Sequence, residues 1–446
     1  MARKERTKYL IIGNSAGGIG AAEAIREVDK VGVVTIVSDE PYPAYSRPLI
    51  SEYLSNRCPL ERMLFRPPDF YEKNNIRTIL GEKVAQVDFN ERTVRLENGR
   101  TLAWRKLLLA TGGLPIVPKI EGIGLKGVFT FTKFDDAKAI DEFLNQYRRK
   151  VTAVVIGGGL IGMSVTEALV KRGVEVTIVE MKKRILNTIL DEEASALEEN
   201  ALMEAGVDII TGHTVGKIGS YLLGEATSVS LDDGRPIPCE MVIIAIGVQP
   251  CLDLISDSGI NTNRGIIVDR HMATSRPDVY ACGDVAEAYD FVYGENRLTP
   301  VWPNAYIGGQ TAGLNMAGKK AEYQGGTAMN ALKYLGVNVV SAGMVTPPDD
   351  SYEVISQRVN GIYRKVVIKG GQIAGLVFAG DIEKSGIIYN LMKDGVNVDR
   401  FKEALVADDF GLAYLPEAIW RAKLAVPPSA ITVTPAEQPE EVFIGE

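Results

Sequence analysis

Two glycine-rich turns carry the chemistry that this sequence offers. The complete one is Gly157-Gly158-Gly159-Leu160-Ile161-Gly162, set between an apolar run over 151–156 and a helical pattern over 163–172. Glycines in a G-x-G-x-x-G spacing allow a tight turn, a close backbone approach for a pyrophosphate, and close packing of the helix on its strand. The next strand, 174–179, closes on Glu180. A carboxylate there accepts hydrogen bonds from both ribose hydroxyls and repels a 2′-phosphate, which favours NAD over NADP. Lys182, Lys183 and Arg184 follow directly and leave some NADP use open.

The earlier turn, Gly13-Asn14-Ser15-Ala16-Gly17-Gly18, repeats this arrangement between a strand over 9–12 and a helix over 21–28, with a second strand over 31–38. Ser15 replaces the second glycine and crowds the closest approach. Asp39 and Glu40 stand where the ribose acid belongs. Taken alone, such a turn suits an ordinary strand-to-helix connection as well as a nucleotide. Its recurrence favours two dinucleotides side by side.

Two further charged residues have open readings. The helical pattern over 50–54 would bring Arg47 to the phosphate end of the first turn, or else Arg47 is a solvated loop arginine. Asp284 follows the strand-like Val279-Tyr280-Ala281 and a glycine, where an aspartate caps a helix or grips a sugar-like hydroxyl. Local physics favours the cap.

These residues need a scaffold, and the chain is long enough for two or three domains at 446 residues. Its 46% hydrophobic and 24% charged composition is that of a soluble globular protein. A net charge of -8 without a basic run argues against nucleic acid or anionic membrane as a partner. No apolar segment is long enough to span a bilayer or to direct secretion, so a cytoplasmic location is expected. Four scattered cysteines, Cys58, Cys239, Cys251 and Cys282, lack metal or cluster spacing. With only His213 and His271 besides, no metal site is expected.

The coarse pattern repeats at the domain level: glycine turn, strands, apolar strand, glycine crossing, twice over. Ala110-Thr111-Gly112-Gly113 is the first crossing and Ala245-Ile246-Gly247 the second. The repeat makes the fold class α/β, with two Rossmann-like dinucleotide-binding domains, and the strand-like runs over 337–340, 363–368 and 373–378 with a helical 387–393 add an α+β C-terminal domain.

In these motifs the chain resembles the FAD-dependent pyridine-nucleotide oxidoreductases of the glutathione-reductase fold. The resemblance is strongest to the branch of ferredoxin and rubredoxin reductases, NADH oxidases, the FAD domain of assimilatory nitrite reductase, and apoptosis-inducing factor. It rests on both glycine turns, both crossings, Val279-Tyr280-Ala281-Cys282-Gly283-Asp284-Val285-Ala286, Trp302-Pro303-Asn304-Ala305, and Gly309-Gln310 with residues 312–318, in order and to about residue 424. It implies FAD in a discontinuous domain, 1–117 and 248–324, NAD(H) in 118–247, an interface domain over 325–424, and an acidic, proline-rich tail over 425–446. Gly13, Ser15, Ala16 and Gly17 with Asp39 or Glu40 should hold the ADP half of FAD. Arg47 should meet the pyrophosphate, and Val84 should pass near the adenine. Ala110, Thr111 and Gly112 form the first crossing, and Gly283 with Asp284 should bind a ribityl hydroxyl, against the capping preference. Trp302, Asn304 and Ala305 should border the flavin ring. Gly157, Gly159, Ile161, Gly162 and Glu180 should hold NAD, with Gly247 on the nicotinamide side.

Three departures from the family pattern matter. The redox cysteine of the disulfide reductases is replaced by Pro48, so disulfide-reductase and peroxidase activities should be absent. Where ferredoxin reductases carry a lysine near the flavin and a glutamate in the second nucleotide helix, this chain has Glu52 and Ser164. Glu52 could contact the nicotinamide amide or reduced flavin, or be a solvated helix residue. Losing both members of a buried pair is less costly than losing one.

Hydride transfer from NADH to flavin requires no acid–base residue, and flavin can then release electrons singly. With no thiol relay, the simplest outlet is an iron–sulfur protein or subunit, in an oligomer or hetero-complex, as in the FAD subunits of phenylglyoxylate dehydrogenase and tungsten aldehyde oxidoreductase. A stand-alone NADH oxidase forming hydrogen peroxide and a flavin-bound scaffold protein are the alternatives.

Overall fold

Apolar runs without polar alternation become central strands, because both of their faces are covered. In the computed structural model, which describes residues 5–221 and 224–424, Tyr9–Ile12 and Met241–Ile244 are buried at every position. Each sits inside a five-stranded parallel sheet. The first sheet runs Val279–Ala281, Lys106–Leu109, Tyr9–Ile12, Val34–Ser38, Ile76–Leu80. The second runs Val128–Thr130, Met241–Ile244, Thr152–Ile156, Glu175–Glu180, Asp208–Thr211. The strand before each glycine turn is central in both, so the sequence repeat is a repeat of structure.

Each turn opens a helix. α1 covers Ala16–Val28, and the short α2, Ile50–Leu54, follows Arg47. In the second unit α3 is Phe134–Leu144, α4 is Leu160–Lys171 and α5 is Glu192–Glu204. α6, Trp302–Met316, returns to pack along α1. The first helix starts five residues before the expected 21. The second strand starts at Val34 instead of 31, because Asp29 accepts hydrogen bonds from the amides of Val31 and Gly32 and turns the chain there.

The chain crosses between units at one place. Gly113–Pro115, leaving the first unit, pairs antiparallel with Val248–Pro250, returning to it. The last unit is a five-stranded antiparallel sheet, Met329–Tyr334, Val337–Gly343, Gln372–Ala379, Ile362–Lys369 and Glu353–Val359, with α7, Ser385–Lys393, packed against it. Phe410 and Leu415 belong to its core while Leu412 and Tyr414 face outward. The tail over 425–446 lies outside the described residues.

The cores do not follow the sheets strictly. Tyr45, Ile50, Leu54 and Met63 leave the first unit's core and pack with Phe134, Ala137 and Ile140 of the second. Tyr334, Val339, Tyr363 and Val377 of the last sheet join the same cluster. At that seam Asp191, which caps α5 through Ala194 N, also accepts from the Tyr363 hydroxyl at 2.6 Å and from Lys365 Nζ at 2.9 Å.

Candidate functional site

The first turn is built so that only glycine fits. Gly13 has φ +117°, and a Cβ there would stand 2.1 Å from the Ala110 carbonyl oxygen; one on Gly18 would stand 2.0 Å from Gly13 O. At Gly17 it would meet Cys282 Sγ at 2.7 Å and Ala305 O at 3.4 Å. Ala110, Gly17, Cys282, Gly283 and Ala305, far apart in sequence, are thereby brought to one place. The closeness extends along α1 and α6: a Cβ on Gly309 would lie 2.1 Å from Gly17 O, and one on Gly313 2.3 Å from Ala21 O.

The start of α1 is left open to an anion. Ser15 occupies the N-cap in an extended conformation but makes no side-chain cap bond, and no acid lies in the first turn. α5, by contrast, is capped by Asp191 and carries Glu192 and Glu193 in its first turn. First-turn amides left without a capping side chain, together with the helix dipole, suit a pyrophosphate.

The charged candidates divide clearly. Asp39 is exposed. Glu40 is 8% exposed, and both its oxygens are occupied, one by the Tyr45 hydroxyl and one by the Arg47 guanidinium. Arg47 also donates to Thr132 O at 3.1 Å. Burial would lower the Arg47 pKa, but the Glu40 carboxylate, with Asp284 adding to it, holds it above the usual value. Asp284 is raised by burial and drawn back down by Arg47. No hydrogen bond among the described residues ends on the Asp284 carboxylate, and the short 3-10 turn Gly283–Val285 has no side-chain cap. The capping preference is thus corrected.

The remaining flavin-side candidates stand on separate elements. Val84 is buried at the start of Val84–Asp88, and the chain reaches it past the acids, with Gly81 N bonded to Glu40 O and Glu82 N to Ser38 O. Thr111 Oγ1 donates to Cys251 O at 3.1 Å, and Gly112 has φ +68° with open space beside it. Trp302 stacks edge-on to Phe65 at 5.1 Å, and Asn304 Nδ2 donates to Thr327 O at 3.1 Å.

The second turn repeats the first. Gly157, at φ +105°, would place a Cβ 2.4 Å from Ala245 O, and Gly162 would place one 1.9 Å from Gly157 O. Gly159 caps α4 with nothing within 4 Å of its Cβ position, and Ile161 is half-buried beside it. Glu180 is 8% exposed; its Oε2 accepts from Gly158 N and its Oε1 from Lys182 N, both at 2.7 Å. Gly247, at φ +114°, borders Ile116.

Glu52 and Ser164 have separate partners. Ser164 Oγ lies 3.0 Å from the Tyr334 hydroxyl. Glu52 is 3.8 Å from Lys171 Nζ, which pairs with Glu167 at 3.0 Å. No hydrogen bond or ion pair among the described residues joins Glu52 to Ser164.

The thiols stay protonated where their environment shifts them. Burial pushes Cys239 and Cys282 up to about 12 and raises Cys251. Cys58 is half-buried, with Sγ 3.6 Å from Pro59 O, while Pro48 is exposed. His213 meets Asp232 and Asp233 at an exposed hairpin, but Arg235 already neutralises Asp233 at 2.6 Å, and no metal is assigned there. Among the described residues no helix is long and apolar enough to cross a membrane.

Several site residues enter from sequence only as part of a quoted motif, or not at all. Gly18 is the counterpart of Gly162, and its spacing could have revealed it. Tyr45, and Tyr71, whose hydroxyl donates to Asn14 Oδ1 at 2.9 Å, carry no local signal. The G-x-x-x-G spacing of Gly309 and Gly313 does signal a close helix crossing.

Both cradles fit a dinucleotide: glycines where backbone must approach, uncapped helix starts without first-turn acids, and an acid after the second strand. Residues 7–312 match the family model described as pyridine nucleotide-disulphide oxidoreductase, and residues 329–396 match the rubredoxin NAD+ reductase C-terminal domain. The chain is 31% identical over 411 residues to the epsilon subunit of NADH-dependent phenylglyoxylate dehydrogenase of Aromatoleum evansii, covering 91% of this chain and 96% of that one. It is 30% identical over 398 residues to nitrite reductase [NAD(P)H] of Bacillus subtilis, covering 88% of this chain but 48% of that longer protein. The crystal structure of the covalent putidaredoxin reductase–putidaredoxin complex is similar, with TM-score 0.84 and 25% identity over 94% of this chain and 99% of that one.

Proposed function

We propose that this chain, which belongs to the pyridine nucleotide-disulphide oxidoreductase family in its rubredoxin- and ferredoxin-reductase branch, binds FAD in the first cradle and NAD(H) in the second and exchanges single electrons with an iron–sulfur protein or subunit. Bound FAD would supply the step from hydride to single-electron chemistry. In this reading residues 1–117 and 248–324 form the flavin domain, 118–247 the NAD domain and 325–424 an interface domain.

The observation that carries the reading is the construction of one cradle twice, with the two crossings paired side by side. The chain's own work is then binding and exclusion of water. The α1 amides and Arg47 neutralise the flavin pyrophosphate, Asp39 takes the ribose, Asp284 a ribityl hydroxyl, and Trp302, Asn304 and Ala305 border the ring. Gly157, Gly159, Ile161 and Gly162 admit the NAD pyrophosphate, Glu180 meets its ribose, and Gly247, Ser164 and Glu52 lie on the nicotinamide side. No proton leaves the donor carbon with the hydride, so no general base is called for.

The external acceptor is supported by the protonated Cys239 and Cys282 and by the similar proteins, a subunit of an NADH-dependent dehydrogenase and a reductase bound to putidaredoxin. The test is anaerobic titration of the purified protein with NADH and NADPH, followed by mixing with rubredoxin, a ferredoxin, or oxygen. Flavin bleached faster by NADH and restored by an iron–sulfur protein is the expected result. Colourless protein that takes up no flavin would refute the reading; fast peroxide formation in air would favour a stand-alone oxidase.

A further inference from the structure

Two neighbouring acids follow the strand Val34–Ser38, in the bend where the chain leaves the sheet, and their surroundings differ. Both Glu40 oxygens are taken by side chains that lead on to the second unit, whereas Glu180, equally buried, accepts only from backbone amides beside its own turn; Asp39 is exposed. We infer that Glu40 is a positioning residue that binds neither nucleotide and instead locks the flavin-side arginine and the second unit into one arrangement through Tyr45 and Arg47.

The lock is a ring of hydrogen bonds across two units. Glu40 accepts from the Tyr45 hydroxyl, and that hydroxyl accepts from Phe134 N, the first residue of α3, at 2.9 Å. The other Glu40 oxygen accepts from Arg47, which reaches Thr132 O at 3.1 Å, two residues before Phe134. Both donors therefore hold Glu40 on one side and the entry to α3 on the other. The surroundings reinforce this: the Phe134 ring is flanked by Tyr42, Tyr45 and Tyr53 at 5.0, 5.9 and 4.7 Å, and the Tyr42 hydroxyl donates to Asp135 at 2.6 Å.

Arg47 thus has two tasks. It fixes the entry to the second unit through Thr132 O, and its charge opposes the rise that burial gives the Asp284 carboxyl. A two-ring hydride transfer depends steeply on the distance and tilt between the rings, and each ring is carried by a different unit. A carboxylate that holds both units to the same arginine sets that geometry without touching either ring.

The inference rests on the proposed flavin and NAD sites, and the experiment separates the two. Asp39→Asn, Glu40→Gln and Tyr45→Phe are compared with the unaltered protein for flavin content and for the limiting rate of anaerobic flavin reduction at saturating NADH. Asp39→Asn is expected to lose flavin. Glu40→Gln and Tyr45→Phe are expected to keep it and to reduce it about ten- to a hundredfold more slowly, the scale of a small misplacement of reacting groups. The double variant should be no slower than the slower single, since either change opens the same ring. Loss of flavin in Glu40→Gln matching that of Asp39→Asn, or full reduction rates in both Glu40→Gln and Tyr45→Phe, would overturn it. If Glu40→Gln does not fold, Tyr45→Phe, which removes one oxygen, decides alone. Unaltered protein that binds no flavin would instead refute the proposed function.

Discussion

Ser164 Oγ lies 3.0 Å from the Tyr334 hydroxyl, which also reaches Leu160 O at 3.3 Å. Ser164 stands in α4, whose first turn forms the second cradle, and Tyr334 ends the first strand of the C-terminal sheet. The next residue, Leu335, has its amide bonded to Glu167 Oε1 at 3.1 Å and sits at φ +46° in the turn closed by Gly336. A hairpin tip of the last unit therefore grips the proposed NAD helix at three points along its length, and the position of that helix depends on the docking of a distant sheet.

Tyr334→Phe keeps the buried ring and removes only the hydroxyl. A net loss of about 1 kcal/mol is expected for the hydrogen bond. If the grip positions the NAD helix, KM for NADH rises roughly fivefold, the factor that 1 kcal/mol represents, while flavin content is unchanged. Steady-state kinetics beside an absorbance spectrum check this, and an unchanged KM would show that the helix holds its place without the sheet.

Two glycines of one turn should behave in opposite ways. A Cβ on Gly162 would press within 1.9 Å of Gly157 O, a backbone atom with nowhere to go, whereas Gly159 faces open space at φ -84°. Gly162→Ala is expected to destabilise the protein by about 1–3 kcal/mol or more through overpacking. Gly159→Ala is expected to cost no more than about 1 kcal/mol, since alanine serves less well than glycine at a helix N-cap, yet to weaken NADH binding at least about tenfold by filling the pyrophosphate approach. Equal melting temperatures for the two variants would contradict the geometry.

The features legible in sequence are those whose cause is local. Glycine spacing, the helix that follows it and the acid after the second strand are separated by a few residues, and the two-sheet repeat follows from seeing that pattern twice. What escaped depends on partners far along the chain. Sequence left Asp39 and Glu40 equivalent because the residue that distinguishes them, Tyr45, is itself fixed by Phe134, 89 positions further on. Arg47 remained undecided between phosphate and solvent for want of Thr132, 85 positions away. Glu52 showed no partner because Lys171 lies in another unit. Asp284 was first read as a cap from its immediate neighbours, and the structure gives it no helix amide to cap.

Thiol chemistry should be dispensable. Burial holds Cys239 and Cys282 at about 12, so neither supplies thiolate at neutral pH, and Cys58 is only half-buried. Iodoacetamide at pH 7.5 is expected to label Cys58 in the folded protein and to reach Cys239 and Cys282 only after denaturation, as peptide mapping would reveal. Cys58→Ser should retain NADH-driven flavin reduction. Loss of that activity would mean that a sulfur takes part after all.

Glu198 should make stability fall as pH rises. It is fully buried on α5, where that helix packs against strands of the last sheet, and among the described residues neither carboxylate oxygen has a hydrogen-bond partner. Burial first, and then the negative charge of Glu167, push its pKa from 4.5 to about 8, and its own charge in turn raises Tyr334. The folded chain thus keeps a proton that the unfolded chain gives up earlier. Below pH 4.5 both states are protonated and the group costs nothing. Between 4.5 and 8 the unfolded state ionises alone, so stability declines steadily, and above 8 the full cost, roughly a few kcal/mol, has been incurred. Glu198→Gln removes the titration while preserving shape. Urea midpoints measured from pH 4.5 to 8.5 should therefore coincide with the unaltered protein at the acid end and exceed it increasingly toward the alkaline end. Two curves that stay parallel over that range would mean that Glu198 titrates in the folded protein as it does in water, through a solvent path that its burial contradicts.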